Sequence, residues 1–228
     1  MLFNIITLFP EIFDSVFSSS IIKRAIVTKT LKLNLVNPRD FATDKHKTVD
    51  DKPYGGGMGM VMKVDILASA LESIRPKPYS ILLSASGKTF TQKNALIFSK
   101  KSSIAIICGH YEGVDARVEK LVGETISIGD FVLTGGEIAA MAIIDSTTRL
   151  LPGVIKKESA DLESFSPLTF NDSPFTLLEY PQYTRPEEFR GQTVPKILLS
   201  GNHSQIEKWR REQSIKRTRK FRPDLLNK

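Results

Sequence analysis

The chain has 228 residues, 41% of them hydrophobic and 25% charged, with 32 Lys and Arg against 25 Asp and Glu and a net charge of +7. This composition excludes a disordered or fibrous protein and leaves room for one large core or for an ordinary domain with a smaller appendage. One cysteine, Cys108, excludes a disulfide framework, three scattered histidines give no zinc cluster, and no apolar run approaches the ~18 residues a membrane span needs.

The opening Met1-Leu2-Phe3-Asn4-Ile5-Ile6-Thr7-Leu8-Phe9-Pro10 is apolar but has no basic flank and no small-residue cleavage site, so it reads as a buried strand rather than a signal, and the expected location is the cytoplasm. Short apolar runs predict strands at Phe3 to Phe9, Leu31 to Val36, Ser80 to Ser84, Ile104 to Cys108 and Thr125 to Ile128. Between them, helices are predicted from about Pro10 to Val27, Val64 to Ser73, Gln92 to Ser99, Asp115 to Leu121 and Glu137 to Leu150. In the last of these Ile138, Met141, Ala142, Ile144 and Asp145 recur at helical spacing, and Pro152-Gly153 stops it. Strands alternating with helices predict an α/β fold with a mostly parallel sheet covered on both faces.

From Lys156 to Pro181 the composition shifts to Ser, Pro, Thr, Asp and Asn, which reads as a linker. Beyond it, Ser204-Gln205-Ile206-Glu207 reads as a capping box opening a helix to about Lys220, with His203 ordering the turn before it. The expected organisation is an α/β domain at 1–155, a linker at 156–181 and a small basic helical domain at 182–228. Nine Lys and Arg stand against three acidic residues after Gly201, so that +6 of the net +7 lies in the tail. That tail is either a nucleic-acid-binding surface or a solvated helix face.

Two glycine-bearing turns end predicted strands: Gly109-His110-Tyr111-Glu112-Gly113 follows one, and Ser127-Ile128-Gly129-Asp130 leading to Gly135-Gly136-Glu137 follows the other. In an open α/β sheet such carboxyl-end turns are where a ligand lies, because glycine brings backbone groups close without a Cβ. A third cluster, Gly55-Gly56-Gly57-Met58-Gly59, follows Val49 to Tyr54, which cannot form the apolar strand of a dinucleotide turn, and reads as a lid or substrate loop. Ser86-Gly87-Lys88-Thr89 resembles the end of a phosphate loop, but Leu82 stands where the first glycine is needed. Cys108 reads as a small core hydrophobe, and His46, between Lys45 and Lys47, as a solvated residue or an RNA contact.

With these motifs in order, the chain resembles the bacterial tRNA (guanine-N1)-methyltransferases, the TrmD family of the SPOUT class. The likeness rests on Ile6 to Glu11, Pro38-Arg39-Asp40-Phe41, His46 with Thr48 to Asp51, Pro53 to Gly57, Cys108-Gly109 with Tyr111-Glu112-Gly113, Ser127 to Asp130, Gly135-Gly136-Glu137, Leu151 to Val154, Tyr183 to Pro186 and Leu199 to His203. The resemblance implies a SPOUT-type parallel sheet with a deep trefoil knot, a small helical C-terminal domain, and a homodimer whose active site joins the knot of one subunit to the linker and tail of the other.

It implies S-adenosylmethionine as cofactor, against Leu83, Ser84, Ala85, Gly109, Tyr111, Glu112, Gly113, Ser127, Ile128, Gly129, Phe131, Val132, Leu133, Gly135 and Gly136. The implied substrate is the guanosine 3′ of the anticodon in tRNA, methylated at N1 with assistance from magnesium. His46, Asp50, Gly55, Gly56, Gly57, Arg185, Lys208 and Arg211 are the expected RNA contacts. Guanine N1 carries a proton at neutral pH, so a base must remove it while a cation meets charge developing on O6. The resemblance assigns these roles to Glu163 and Arg149, with Asp161 as a rival base.

Two departures stand out: Glu163 replaces the family's usual aspartate, and His110 stands where many relatives have arginine. Residues 166–176 also read as longer than usual. A related enzyme acting on ribosomal RNA, and an RNA-binding relative without catalysis, are the alternative readings.

Overall fold

Alternate residues of the central strands enter two different cores, which is why these strands read as nearly continuous apolar runs. A computed structural model describes residues 1–156, 163–165 and 176–226, and the chain divides into two compact units, Met1–Ile155 and Lys156–Lys228. In the first unit β1 (Leu2–Ile6), β2 (Lys32–Val36), β5 (Tyr79–Thr89), β6 (Ser103–Cys108) and β7 (Glu124–Ser127) form one parallel sheet in the order β2-β1-β6-β5-β7. The short β3 (Asp50–Asp51) and β4 (Val61–Met62) pair antiparallel apart from it.

Phe3, Ile5, Ile104 and Ile106 point into the core shared with α2 (Ser20–Val27) and α5 (Glu137–Thr148), whereas Ile6, Ala105 and Ile107 point into the core shared with α3 (Val64–Glu72). Register in the first layer is pinned by a polar ladder: Asn34 Nδ2 donates to Asn4 Oδ1 at 2.9 Å, and Asn4 Nδ2 donates to Ser103 Oγ at 3.1 Å. A one-residue slip would break this ladder and turn Phe3 and Ile5 to the wrong face.

The helix predicted from Pro10 to Val27 is interrupted. It consists of a 3-10 turn at Pro10–Phe13, α1 (Asp14–Phe17) and α2, because the backbone leaves helical geometry at Ser19, extended at φ −125° and ψ 155°, and at Ser20, φ 51°, while the Ser18 and Ser19 hydroxyls donate back to the Ser15 carbonyl at 3.2 Å. The segment after Asp115 is a 3-10 helix, Ala116–Lys120, rather than an α-helix, with the Asp115 carboxylate capping Arg117 N. In α5 the buried stripe is Ala140, Ile143, Ile144 and Thr147, while Ile138 is 55% exposed, so the predicted apolar face is rotated from the real one. Between β5 and β6 lies α4 (Gln92–Phe98), closed by a capping box in which Thr91 and Asn94 bond reciprocally.

The second unit is built on a 19-residue helix, His203–Phe221. Its cap is Asn202, whose side chain accepts from Gln205 N at 3.2 Å; the predicted cap Ser204 and the turn residue His203 both lie inside the helix. The buried Thr218 Oγ1 accepts from Leu178 N at 2.9 Å, and Arg210 stands over the Tyr180 ring at 4.8 Å, so residues 176–180 pack along this helix. Ahead of it, a hairpin pairs Glu188–Phe189 with Gln192–Thr193 around Arg190 and Gly191, whose φ values of 52° and 74° match the twist of a two-residue turn. This hairpin was not predicted from the sequence.

Candidate active site

Three chain segments meet where β5, β6 and β7 end. The first comes from β5, which is longer than predicted: it pairs with β7 at Ile81 to Leu83, breaks register, and resumes at Lys88 and Thr89 opposite Ile126 and Ser127. Ser84 to Gly87 therefore bow out over the end of β7. A Cβ at Gly87 would stand 2.5 Å from the Ile126 backbone, so Gly87 permits β5 to return close beside β7, which is the use of the Ser-Gly-Lys-Thr string here.

The second segment follows β6. Gly113 N donates to the His110 carbonyl at 3.0 Å, with Tyr111 at φ 60° and Gly113 at φ 110°. Cys108 beneath this turn is fully buried, and burial, followed by the nearby Glu137 charge, pushes its thiol well above its ordinary value, so it serves as core and not as nucleophile. The third segment begins at Ser127, whose hydroxyl donates to the Gly129 carbonyl at 3.0 Å, and ends at Gly135-Gly136, the N-cap of α5. Gly136 N donates to the Gly109 carbonyl at 2.8 Å, and a Cβ at Gly136 would lie 2.8 Å from Cys108 Cα. Backbone thus lies on backbone between the second and third segments, which requires glycine at 136.

Together they line a cleft of about 320 Å³. Every position from Leu83 to Gly136 that the resemblance implies for the cofactor lies on its wall, drawn from residues 83–85, 109–113 and 127–136. Leu82, His110, Val114, Glu119, Ile126, Thr134 and Ala139 line it too and were not expected as contacts. Of these, only His110 carried a sequence signal, its place inside the glycine turn. Its ring packs against Phe9 and Tyr111 with centroids 4.8 and 4.9 Å away, and its Nδ1 is buried with no hydrogen-bond partner. On the same wall Phe131 and Val132 are 53% and 90% exposed, apolar surface that a flat aromatic ligand would cover.

Of the remaining expected site residues, those in the first unit are not gathered in that cleft. His46 lies in an exposed loop where Asp44 accepts from the backbone N–H of His46 and Thr48, and these bonds, the Thr48 hydroxyl's first, hold the Asp44 carboxyl below its ordinary value. Asp50 is in β3, and Gly55, Gly56 and Gly57 form the exposed link from β3 to β4 with φ values of 84°, 78° and 130°. Arg149 is the C-cap of α5. Glu163 and Arg185 belong to the second unit, as do Lys208 and Arg211, which are exposed three residues apart on the helix His203–Phe221. Asp161 and residues 166–175 lie outside the described residues. Among the described residues no three His, Cys, Asp or Glu side chains converge as a metal site, and no helix is long and apolar enough to cross a membrane.

An open parallel sheet with a glycine-walled cleft at its carboxyl ends defines a ligand-binding α/β protein of the kind that carries a nucleotide-like cofactor. The chain matches the family described as tRNA (Guanine-1)-methyltransferase TrmD over residues 1–228, and it belongs to that family. Relatives named tRNA (guanine-N(1)-)-methyltransferase include those of Caldanaerobacter subterraneus subsp. tengcongensis, 53% identical over all of this chain and 92% of the relative, and Caldicellulosiruptor saccharolyticus, 52% identical over all of this chain and 91% of the relative. That of Geobacter sp. is 52% identical over all of this chain and 90% of its own length. These are transferases, and the family implies use of S-adenosylmethionine.

Proposed function

We propose that this protein transfers a methyl group from S-adenosylmethionine to N1 of the guanosine 3′-adjacent to the anticodon of tRNA. The observation that carries this reading is the convergence of three glycine-bearing segments on one cleft in a chain that matches the family from end to end. The cleft suits the cofactor chemically: exposed Phe131 and Val132 offer apolar surface for an adenine, backbone groups bared by Gly109, Gly129 and Gly136 can read its edges, and the Glu112 and Glu119 carboxylates can meet its cationic end. When bound, the sulfonium cofactor supplies an electrophilic methyl group.

The chain's own residues supply the rest. Glu163 takes the N1 proton of guanine, which frees a lone pair in the ring plane for attack, and Arg149 donates to O6, where negative charge gathers. Glutamate reaches farther than the usual aspartate by one methylene and does the same proton transfer. Among the described residues no three His, Cys, Asp or Glu side chains converge to hold magnesium, so an assisting ion would come with the RNA and would supply positive charge near the reacting guanine. His46, Asp50, the Gly55–Gly57 loop, Arg185, Lys208 and Arg211 hold the RNA.

The same reading includes a trefoil knot in the cofactor-binding domain, a basic tRNA-binding tail domain, cytoplasmic location and a homodimer in which Arg149 acts with Glu163 of the partner subunit. The order β6-β5-β7, with β5 breaking register and returning close beside β7 at Gly87, supports the first, and the net +6 after Gly201 supports the second.

Transfer of labelled methyl to unfractionated tRNA, with ribosomal RNA as competitor and nuclease mapping of the product, tests the function. Label in tRNA as N1-methylguanosine beside the anticodon is expected; label only in ribosomal RNA, or none, overturns it.

A further inference from the structure

Gly59 lies outside the cofactor cleft, yet its missing side chain decides where a cleft carboxylate can stand. A Cβ on Gly59 would lie 2.5 Å from Glu112 Oε1 and 2.8 Å from Glu112 Cδ, so the Glu112 side chain fills the space that any other residue at 59 would claim. The backbones are bound together as well. Glu112 N donates to the Met60 carbonyl, Met62 N to the Gly113 carbonyl and Asp115 N to the Met62 carbonyl, each at 3.0 Å, and Met62 bridges Val114 in parallel pairing. The end of the glycine loop is therefore an added strand alongside the turn that walls the cleft. The loop itself carries Tyr54 and Met58, 102% and 93% exposed, a ring and a thioether that an unstacked nucleobase can cover.

We propose that Gly59 is a positioning residue for the Glu112 carboxylate, and that through this contact the glycine loop and the cofactor cleft sense one another. A loop covered by RNA holds residues 59–62 in one place and so fixes the carboxylate beside the cofactor; a loop displaced from that place moves it. Because coupling of two binding equilibria is reciprocal, a filled cleft favours the RNA-bound loop by the same factor. This inference rests on the proposed reading of the cleft as the S-adenosylmethionine site and of the loop as an RNA contact.

The structure supplies its own control. Gly56 has φ 78° and Gly59 φ 81°, so alanine meets the same backbone strain at both, but nothing lies within 4 Å of a Cβ at Gly56. The full-length protein and its Gly59→Ala, Gly56→Ala, Glu112→Ala and Gly59→Ala/Glu112→Ala variants are titrated with S-adenosylhomocysteine by calorimetry, with and without unmodified tRNA, after thermal melts establish that each is folded.

Gly59→Ala is expected to weaken S-adenosylhomocysteine by about tenfold, the scale of one impaired hydrogen bond to a charged group, with Gly56→Ala within about twofold of wild type. In the Glu112→Ala background the Gly59→Ala change is expected to have no further effect. In wild type, tRNA is expected to shift the affinity about fivefold or more, and Gly59→Ala to erase that shift. Equal effects of Gly59→Ala and Gly56→Ala, or an undiminished Gly59→Ala effect in the Glu112→Ala background, overturn the proposal while leaving the site intact. Wild-type affinity in Glu112→Ala instead overturns the placement of the cofactor beside Glu112, and the proposal with it.

Discussion

Thr7 Oγ1 donates to Glu137 Oε1 at 2.8 Å across 130 positions of sequence, and both residues are buried. The same hydroxyl oxygen accepts from Phe9 N at 3.0 Å. Glu137 is the first residue of α5, where the helix dipole favours a carboxylate, and it follows directly on the Gly135-Gly136 turn. One hydrogen bond thereby ties the cleft's third segment to the end of β1, on the far side of β6.

Thr7→Val keeps the side-chain volume but leaves the Glu137 carboxylate without this donor. A loss of about 1–3 kcal/mol of unfolding free energy is expected, read from urea denaturation, because a buried group stripped of its partner bears its full desolvation cost. Thr7→Ser, which restores the hydroxyl, is expected to recover most of it.

Gly136→Ala places a methyl group against Cys108 Cα and Gly109 N, both backbone atoms that cannot swing aside. The turns carrying Gly109 and Gly136 must then separate. S-adenosylhomocysteine binding is expected to fall below calorimetric detection while unfolding stays cooperative; unchanged affinity would remove these turns from the cofactor site.

Glu163→Gln is nearly isosteric and keeps hydrogen bonding, but it cannot accept the N1 proton. Single-turnover methylation is expected to slow by ~10²–10⁴ with tRNA and cofactor affinities retained, Glu163→Asp to be much milder, and Asp161→Asn to do little. A crippled Asp161→Asn beside a near-normal Glu163→Gln would move the base to Asp161.

The basic tail predicts a steep salt dependence of tRNA binding, with each neutralised phosphate adding roughly −0.7 to −0.9 to the slope of log affinity against log salt. Lys208→Ala/Arg211→Ala is expected to make that slope shallower by about 1.4 to 1.8, two contacts' worth, in filter-binding assays between low and moderate salt. An unchanged slope would remove this helix face from the RNA interface.

Tyr79 donates to Glu124 Oε1 at 2.6 Å, with Lys101 Nζ 3.9 Å from the ring centroid. Burial, followed by the Glu124 bond and charge, pushes its hydroxyl from 10.0 up to about 12. A group with a raised folded value contributes stability that is present below pH 10.0 and lost as pH rises through about 12. The stability difference between wild type and Tyr79→Phe, measured by urea midpoints from pH 9 upward, is therefore expected to be constant at first and then to shrink over that window.

Much of this protein was legible as sequence. Short apolar runs bounded by turn residues marked all five strands of the main sheet, most plainly where burial on both faces leaves its trace within a few consecutive residues, as in Ile104 to Cys108. Glycines at strand ends marked the cleft because a backbone that must approach another backbone tolerates nothing larger, and the ordered motifs identified the family. What local pattern could not reach was geometry set by partners distant in the chain. Leu82 rules out a phosphate loop around Gly87, and only the Ile126 backbone beside it shows why glycine is there. Glu137 turns inward at the start of α5 to meet Thr7, and a Cβ at Gly59, already strained by a φ of 81°, would meet the Glu112 side chain. Helix phase and these long-range contacts are decided when separate segments compete for the same volume, a competition that exists only once the chain has folded.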